Sequence, residues 1–471
     1  MVRKDQILFN QRDMKRNRPI CSFYSLLIGA LFISGCDIFN SNQPFSGGKG
    51  TEANPYVILT IEQLQAIDDP EYLDKHFVQA KDIDAAASAD FENPEAYMDQ
   101  TGFSAIGDHE HPFTGSYNGN GFVIRNLHLA YVPTNILKGL FGYVKNGRIE
   151  NITIDNGVNI DIDKQMGLQK AEQNSAMNQP QSLKNVMELH GDDYADVKMQ
   201  AGLVAINDGG YINNCHFIGN VNGYRLQMAA GFVGVNSGII ERSSFEGNAN
   251  GIGFVNWNLG QIRRSHVSAR PGFQSGYGMV VRNDGLISES SVEIDIHSTF
   301  LTTGLAGKNN GTIESSYVTG NLHGTYSTVG IVDENSGEIK NSYVIVNMDV
   351  DHFDGIEYQT FGFIVNENQS TGLIENVFAA GTLQVDPNAQ IITSGGVAAT
   401  NNGHFSSVFW DREKTGVTTG VGNGSSEGTA GLTTEQMTGD AARENMPGFD
   451  WGNVWTTSPD GYPILRWQLE E

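Results

Sequence analysis

The sequence predicts an all-β protein, a right-handed parallel β-helix (solenoid) of about ten rungs with N- and C-terminal caps and a partly helical insertion. Three observations predict it. A Gly-x-Ile step, or a close variant, recurs at Gly147, Gly210, Gly238, Gly260, Gly285, Gly311, Gly337, Gly372 and Gly403, with gaps of 28, 22, 25, 26, 26, 35 and 31 residues from Gly210 onward. A Gly-apolar-apolar strand that ends in Asn five residues after the Gly recurs as Gly202/Asn207, Gly231/Asn236, Gly253/Asn258, Gly278/Asn283, Gly304/Asn309, Gly330/Asn335 and Gly396/Asn401. Glycine supplies 56 of 471 residues at regular places, so it reads as turn punctuation and not as linker. The right hand follows from the rule for parallel crossovers, not from any residue.

The repeats align in columns. With the Ile of Gly-x-Ile at position zero, position three is small or apolar: Ile152, Cys215, Ser243, Ser265, Ser290, Ser316, Ser342 and Val377. Position five is apolar throughout: Ile154, Phe217, Phe245, Val267, Val292, Val318, Val344 and Ala379. Strand side chains alternate between faces, so positions zero and five differ in parity. Both point inward only if the chain bends or bulges between them, and the small residue at three suits that bend. Equivalent residues of successive rungs then stack roughly 4.8 Å apart and line a shared interior. The Asn column is placed to stack its amides along the axis and to satisfy turn backbone groups.

The N-terminal part divides by composition. Residues 1–35 carry six basic and two acidic side chains, a local net of +4 that leaves −29 for the rest. An apolar run from Cys21 to Ile33, too short for a membrane span, leads to Ile33-Ser34-Gly35-Cys36. Residues 1–35 therefore read as an export signal, and the Ile-Ser-Gly-Cys ending resembles the lipobox of bacterial lipoproteins. That resemblance makes Cys36 the lipidated first residue and the cell envelope the destination. The outer membrane or cell surface is favoured, although Asp37 resembles an inner-membrane retention signal of enteric-type sorting. Residues 36–50 read as a tether. Residues 51–130 read as an N-terminal cap and first rung, in which Thr60 and Gln63 form a capping-box pattern for a helix carrying Ile61, Leu64 and Ile67. Phe122 to Leu129 is expected to open the first regular rung, with Gly121 as the equivalent of Gly147.

Residues 131–411 read as the β-helix repeats, broken by a polar insertion at 161–200 and by an acid-rich loop at 346–360. Residues 412–471 read as the C-terminal cap: a Gly/Thr/Ser loop at 412–430, a helix from Thr433, then Phe449, Trp451, Trp455, Tyr462, Leu465 and Trp467 as a plug over the last rung.

Several of these segments resemble the GLUG-motif repeat family of bacterial exported and surface proteins. The likeness rests on Gly231-Phe-Val-Gly-Val-Asn-Ser-Gly238, Gly304-Leu-Ala-Gly-Lys-Asn-Asn-Gly311 and the Ile-x-x-Ser-Tyr/Phe strands after them. It extends to the Asn54-Pro55-Tyr56-Val57-Ile58 opening, to Pro112–Gly121, and to Phe409-Trp410-Asp411, Leu432–Met437 and Gly461–Trp467. The resemblance implies an exported β-solenoid, often of adhesin-like type, with no catalytic residues of its own.

The candidate sites are few. Position four holds His216, His266, Tyr317, Tyr343 and Phe378. Exposed rings there would stack on sugars, and Tyr317 and Tyr343 are the ligand-binding candidates; otherwise the column protects the sheet beneath loops. Asp349-x-Asp351-x-x-Asp354-Gly355 offers hard oxygen ligands for Ca²⁺, but its third acid comes one residue late for an EF-hand and Thr360 stands where the closing Glu belongs. No other cofactor or metal is expected. His109-Glu110-His111-Pro112 fails the zinc-peptidase spacing and contains a helix-breaking Pro. Cys215, alone in the body, reads as a small apolar residue. Glu241 and Glu314 share a column but lie three rungs apart, too far for paired-carboxylate hydrolysis. A net charge of −25 argues against nucleic acid as a partner. The expected function is that of a lipid-anchored surface or periplasmic interaction protein, adhesin-like or binding an unknown protein or glycan. A polysaccharide lyase or hydrolase, or a passive spacer, is the alternative.

Overall fold

Each turn of the chain runs through three strand-forming stretches, and the columns read from the sequence are what bring successive turns into register. A computed structural model describes residues 43–92, 101–129, 137–159, 199–221, 229–249, 251–270, 273–352 and 358–470. The chain divides into two units, 1–43 and 44–471, and the second is a parallel β-helix. The export signal, Cys36, nearly all of the 161–200 insertion, and Asp354 and Gly355 lie outside the described residues.

One face is a ten-stranded parallel sheet running from Phe141–Lys145 to Val421–Gly424. It carries the asparagines. Asn207 Nδ2 donates to Asn236 Oδ1 at 2.7 Å, and the chain of amides continues through Asn258, Asn283, Asn309, Asn335, Asn368 and Asn401 at 2.8 Å per step. Each amide also reaches a turn carbonyl, as Asn309 Nδ2 does to Gly311 O at 3.3 Å. These side chains are buried, so every link replaces a hydrogen bond to water that burial removes.

The second face carries the Ile column. Tyr56, Phe77, Tyr117, Ile149, Ile212, Ile240, Ile262, Ile287, Ile313, Ile339, Ile374 and Phe405 pair in unbroken parallel register. The position-five residues form a second such column, from Ile124 through Ile154 to Trp410. The bend between the columns sits at position two. Asn151, Asn214, Arg242, Arg264, Glu289, Ser315, Asn341, Asn376 and Ser407 all have φ between 46° and 56°. This left-handed residue restores the parity that lets positions zero and five share the interior. The serine that follows locks the corner: Ser290 N donates to Ser316 Oγ at 3.2 Å, and Ser316 Oγ donates to Glu314 O at 2.8 Å.

A third face completes each turn. Short strands such as Ala229–Ala230, Gly251–Ile252, Ser327–Val329 and Gln359–Gly362 pair in parallel just before each Gly-apolar-apolar strand. They share no residue signature, which is why no column marked them. Glycines at this junction and at the corner after the Asn column are set by crowding. A Cβ on Gly304 would strike the carbonyl of Gly330 in the next turn, and one on Gly311 the carbonyl of Gly285 in the preceding turn.

Other expectations need correcting. Residues 44–50 are not free tether: Phe45 is buried against Tyr56, Tyr72 and Phe77, and Val57 N donates to Gly47 O at 2.9 Å. The first rungs begin earlier than Phe122, because Tyr117 occupies the Ile column opposite Ile149. The equivalent of Gly147 is thus Gly115, and Gly121 is a turn residue with φ of 77°. Thr60 caps its helix by accepting from Gln63 N at 3.3 Å, but Gln63 Oε1 accepts from Leu59 N instead of closing the box. The acid-rich loop is shorter than expected, since Tyr343–Val350 is strand. The Gly/Thr/Ser loop contains a further rung, with Val421–Gly424 and Thr429–Leu432 pairing onto the preceding strands. At that end Trp410 turns inward from position five, and its indole Nε1 donates to Val417 O at 2.8 Å.

Candidate functional site

The C-terminal module does not lie over the last rung. It packs against the outward side of the Ile face, along position four. Tyr317, Tyr343 and Phe378 stack one above the next, with ring centroids 4.9 and 5.1 Å apart. Met437, Met446, Phe449, Trp455, Leu465 and Trp467 cover them as a second apolar cluster. Trp467 Nε1 donates to Ser315 O at 2.7 Å, and Tyr343 lies against Gln468. Tyr343 is 3% exposed, and Tyr317 is half-buried beside Trp467. The two tyrosines proposed as ligand contacts therefore face the protein's own cap. A ring covered on its outer face offers no apolar area to a sugar.

The same column continues toward the N-terminus with His and Ser in place of the larger rings. There an open cavity of about 530 Å³ lies between the cap and the sheet, lined by His216, Arg242, Ser244, Arg264, His266, Trp467 and Glu470. Two of its histidines pair with serines: His216 Nδ1 is 2.8 Å from Ser244 Oγ, which also lines the cavity, and His266 Nδ1 is 2.8 Å from the buried Ser291 Oγ. Burial pushes His216 below the usual imidazole range. Arg264 is held by Glu289 at 2.5 Å, so its charge is largely answered within the protein. Glu241 and Glu314 are separated by Arg263 and Ser288, three rungs apart as expected.

A different edge is open. Among the described residues, seven large apolar side chains are exposed, and five of them (Phe300, Tyr326, Tyr358, Val385 and Ile392) belong to the connection from the Ile face into the third face on four successive turns. Phe300 and Tyr326 stack at 4.6 Å with planes 5° apart, each about one-third exposed. Tyr358 is 60% and Ile392 59% exposed. Beside this ridge run two outward polar rows. One is Asp295, Asn321, Asn347 and Thr382; the other is His297, His323, Asp349 and Gln384. Asn347 Nδ2 donates to Asn321 Oδ1 at 3.0 Å, and Thr382 Oγ1 donates to Asn347 Oδ1 at 2.8 Å. Most exposed apolar residues on a protein are scattered; here five lie on one edge.

Sequence reasoning missed the ridge because it lies outside the aligned strands. A signal was present: His297 and Phe300 recur as His323 and Tyr326, 26 residues on, the same step as Gly285 to Gly311. Of the calcium candidates, Asp349 instead pairs with His323 Nδ1 at 2.8 Å. Cys215 is fully buried, and burial pushes its thiol up to about 12.

No protein-family model matches the chain. A protein of Evansella cellulosilytica, provisionally named a Gly-rich membrane protein, is 33% identical over 148 residues, which are 30% of this chain and 16% of that protein. Halomucin of Haloquadratum walsbyi is 34% identical over 114 residues, 23% of this chain and 1% of halomucin. The chain thus spans only a small part of either relative. A solved structure from Bacteroides ovatus, provisionally titled an immunoglobulin A1 protease, aligns over 90% of this chain and 95% of its own at 18% identity, with a TM-score of 0.35.

Proposed function

We propose that this chain is an exported interaction protein, tethered to the cell envelope through a lipid on Cys36, that binds a glycan along the ridge of Phe300, Tyr326 and Tyr358. The observation that carries the reading is the gathering of five exposed apolar side chains at one corner, flanked by rows of amide, hydroxyl, imidazole and carboxylate groups. Sugars present apolar C–H faces and a rim of hydroxyls, so aromatic surface beside polar side chains matches both. Rings already stacked in register lose little freedom on binding. The resemblance to GLUG-motif repeats and the names of the two relatives support a place at the envelope or surface.

A glycan array probed with the purified chain tests the reading. The expected result is a defined set of binding glycans whose signal falls at least tenfold in Phe300→Ala/Tyr326→Ala. Equal signal in that variant would refute the ridge. Repeated release of reducing ends or unsaturated products from a polysaccharide would replace binding with catalysis. For the anchor, Cys36→Ser is expected to move the protein from the membrane to the soluble fraction; an unchanged distribution would rule out the lipid.

A further inference from the structure

Next to the ridge, three side chains from adjacent strands converge on the outside of the Ile face. Asp295 and His297 come from strand Ser291–Thr303, and His323 from Tyr317–Gly324. One ligand atom of each lies within 4.8 Å of the other two. His297 Nε2 is 3.5 Å from Asp295 Oδ1. That is long for a hydrogen bond. It is close to the edge of a tetrahedron whose corners stand about 2.1 Å from a common centre, roughly 3.4 Å, the geometry of zinc bound by nitrogen and oxygen.

The next strand in the row, Tyr343–Val350, supplies the support such a site needs. Asp349 Oδ2 lies 2.8 Å from His323 Nδ1. A ring whose Nδ1–H is held by a carboxylate keeps its Nε2 lone pair free, which is how metal-binding histidines are oriented. The two imidazoles lie in register, with centroids 4.0 Å apart and planes 9° from parallel. His297 is 66% exposed, so its ring is free to turn and bring its nitrogen to the shared centre. Arg270 Nε stands 3.8 Å from Asp295 Oδ2, but that side chain is 76% exposed and can swing into solvent.

We propose that Asp295, His297 and His323 bind a divalent transition-metal ion of the zinc class, with Asp349 as the positioning residue for His323. Two imidazoles and one carboxylate suit zinc, nickel or copper; calcium takes six to eight oxygens and finds no such set here. Three protein ligands leave a fourth position open to solvent. The site stands independently of what the ridge binds.

Calorimetric titration of the purified chain with Zn²⁺ near neutral pH, repeated with Co²⁺ while recording its visible absorption, tests the proposal. The expected result is one equivalent bound, with the intense visible bands of four-coordinate cobalt. His297→Ala/His323→Ala is expected to lose that equivalent, and Asp349→Asn to weaken it about tenfold. The exposed His404→Ala is expected to bind as the parent does. Metal-free melting curves of the variants that overlay the parent exclude unfolding as the cause. No uptake by the parent, or full uptake by the double variant, would overturn the site. An unchanged affinity in Asp349→Asn would overturn the positioning role.

Discussion

At the scale of single residues, the bend at position two carries the most unusual backbone in the protein. Asn and Gly enter the left-handed region readily, whereas other L-residues pay for Cβ crowding. Arg242 holds φ of 47° there with only loose ion-pairing, its guanidinium 3.5 Å from Glu241. Arg242→Asn is therefore expected to stabilise the protein by about 0.5–1 kcal/mol, read as a higher urea midpoint with unchanged slope. A lower midpoint would show that the arginine side chain contributes more than its backbone costs. The sequence could not show this position, because Asn, Arg, Glu and Ser all occupy it. Only the conformation is common to them. Cys215 was legible, since it stands in a column of small residues. Its pKa near 12 keeps it a thiol through the ordinary range, so the native protein is expected to show no Cys215 labelling by a thiol reagent near pH 8. Mass spectrometry of the labelled peptide, before and after denaturation, checks it.

At the scale of elements, the asparagine ladder forms as its spacing predicts, and the C-terminal module sits where the sequence does not place it. The ladder was legible, because the five-residue Gly-to-Asn spacing is rigid and each Asn opens a turn. Its weight lies in burial. Asn309 accepts from Asn283 and donates to Asn335 and Gly311 O, so Asn309→Ala leaves several buried partners unmatched. The expected loss is about 3 kcal/mol or more, against less than about 1 kcal/mol for the exposed neighbour Asn310→Ala. Equal losses in thermal melts would mean the ladder is ornament. The C-terminal module was legible in composition and not in place. Aromatic content announces that something is covered, but not which surface. Outward Tyr317, Tyr343, Phe378 and Phe409 supply that surface, and the cap sits on the wall. Trp467→Ala is expected to cost about 3–5 kcal/mol if the module and wall unfold together. A change below about 1 kcal/mol would show the module to be a loosely held flap.

At the scale of the whole molecule, the repeat explains both the fold and the place of the ridge. Parallel register turns any residue that recurs at the repeat step into a line along the wall, whether Ile inside or aromatic outside. Interior lines are visible in a sequence because every rung must fill them. Exterior lines are faint, because only a few rungs carry them and solvent imposes no chemistry on the rest. That is why the Ile and Asn columns stand out in the sequence, whereas among outward aromatics those next to the aligned motif, such as Tyr317 and Tyr343, are conspicuous there. The two aromatic pairs look alike in sequence and differ only in what stands in front of them.

Comparing those pairs tests the account most directly. Melting temperature and affinity for a glycan selected on the array would be measured for Phe300→Ala/Tyr326→Ala and for Tyr317→Ala/Tyr343→Ala. The account predicts that the first pair loses binding with a melting curve close to the parent's, and that the second melts several degrees lower yet binds normally while folded. Binding lost in the Tyr317/Tyr343 variant and kept in the Phe300/Tyr326 variant, both folded, would contradict it.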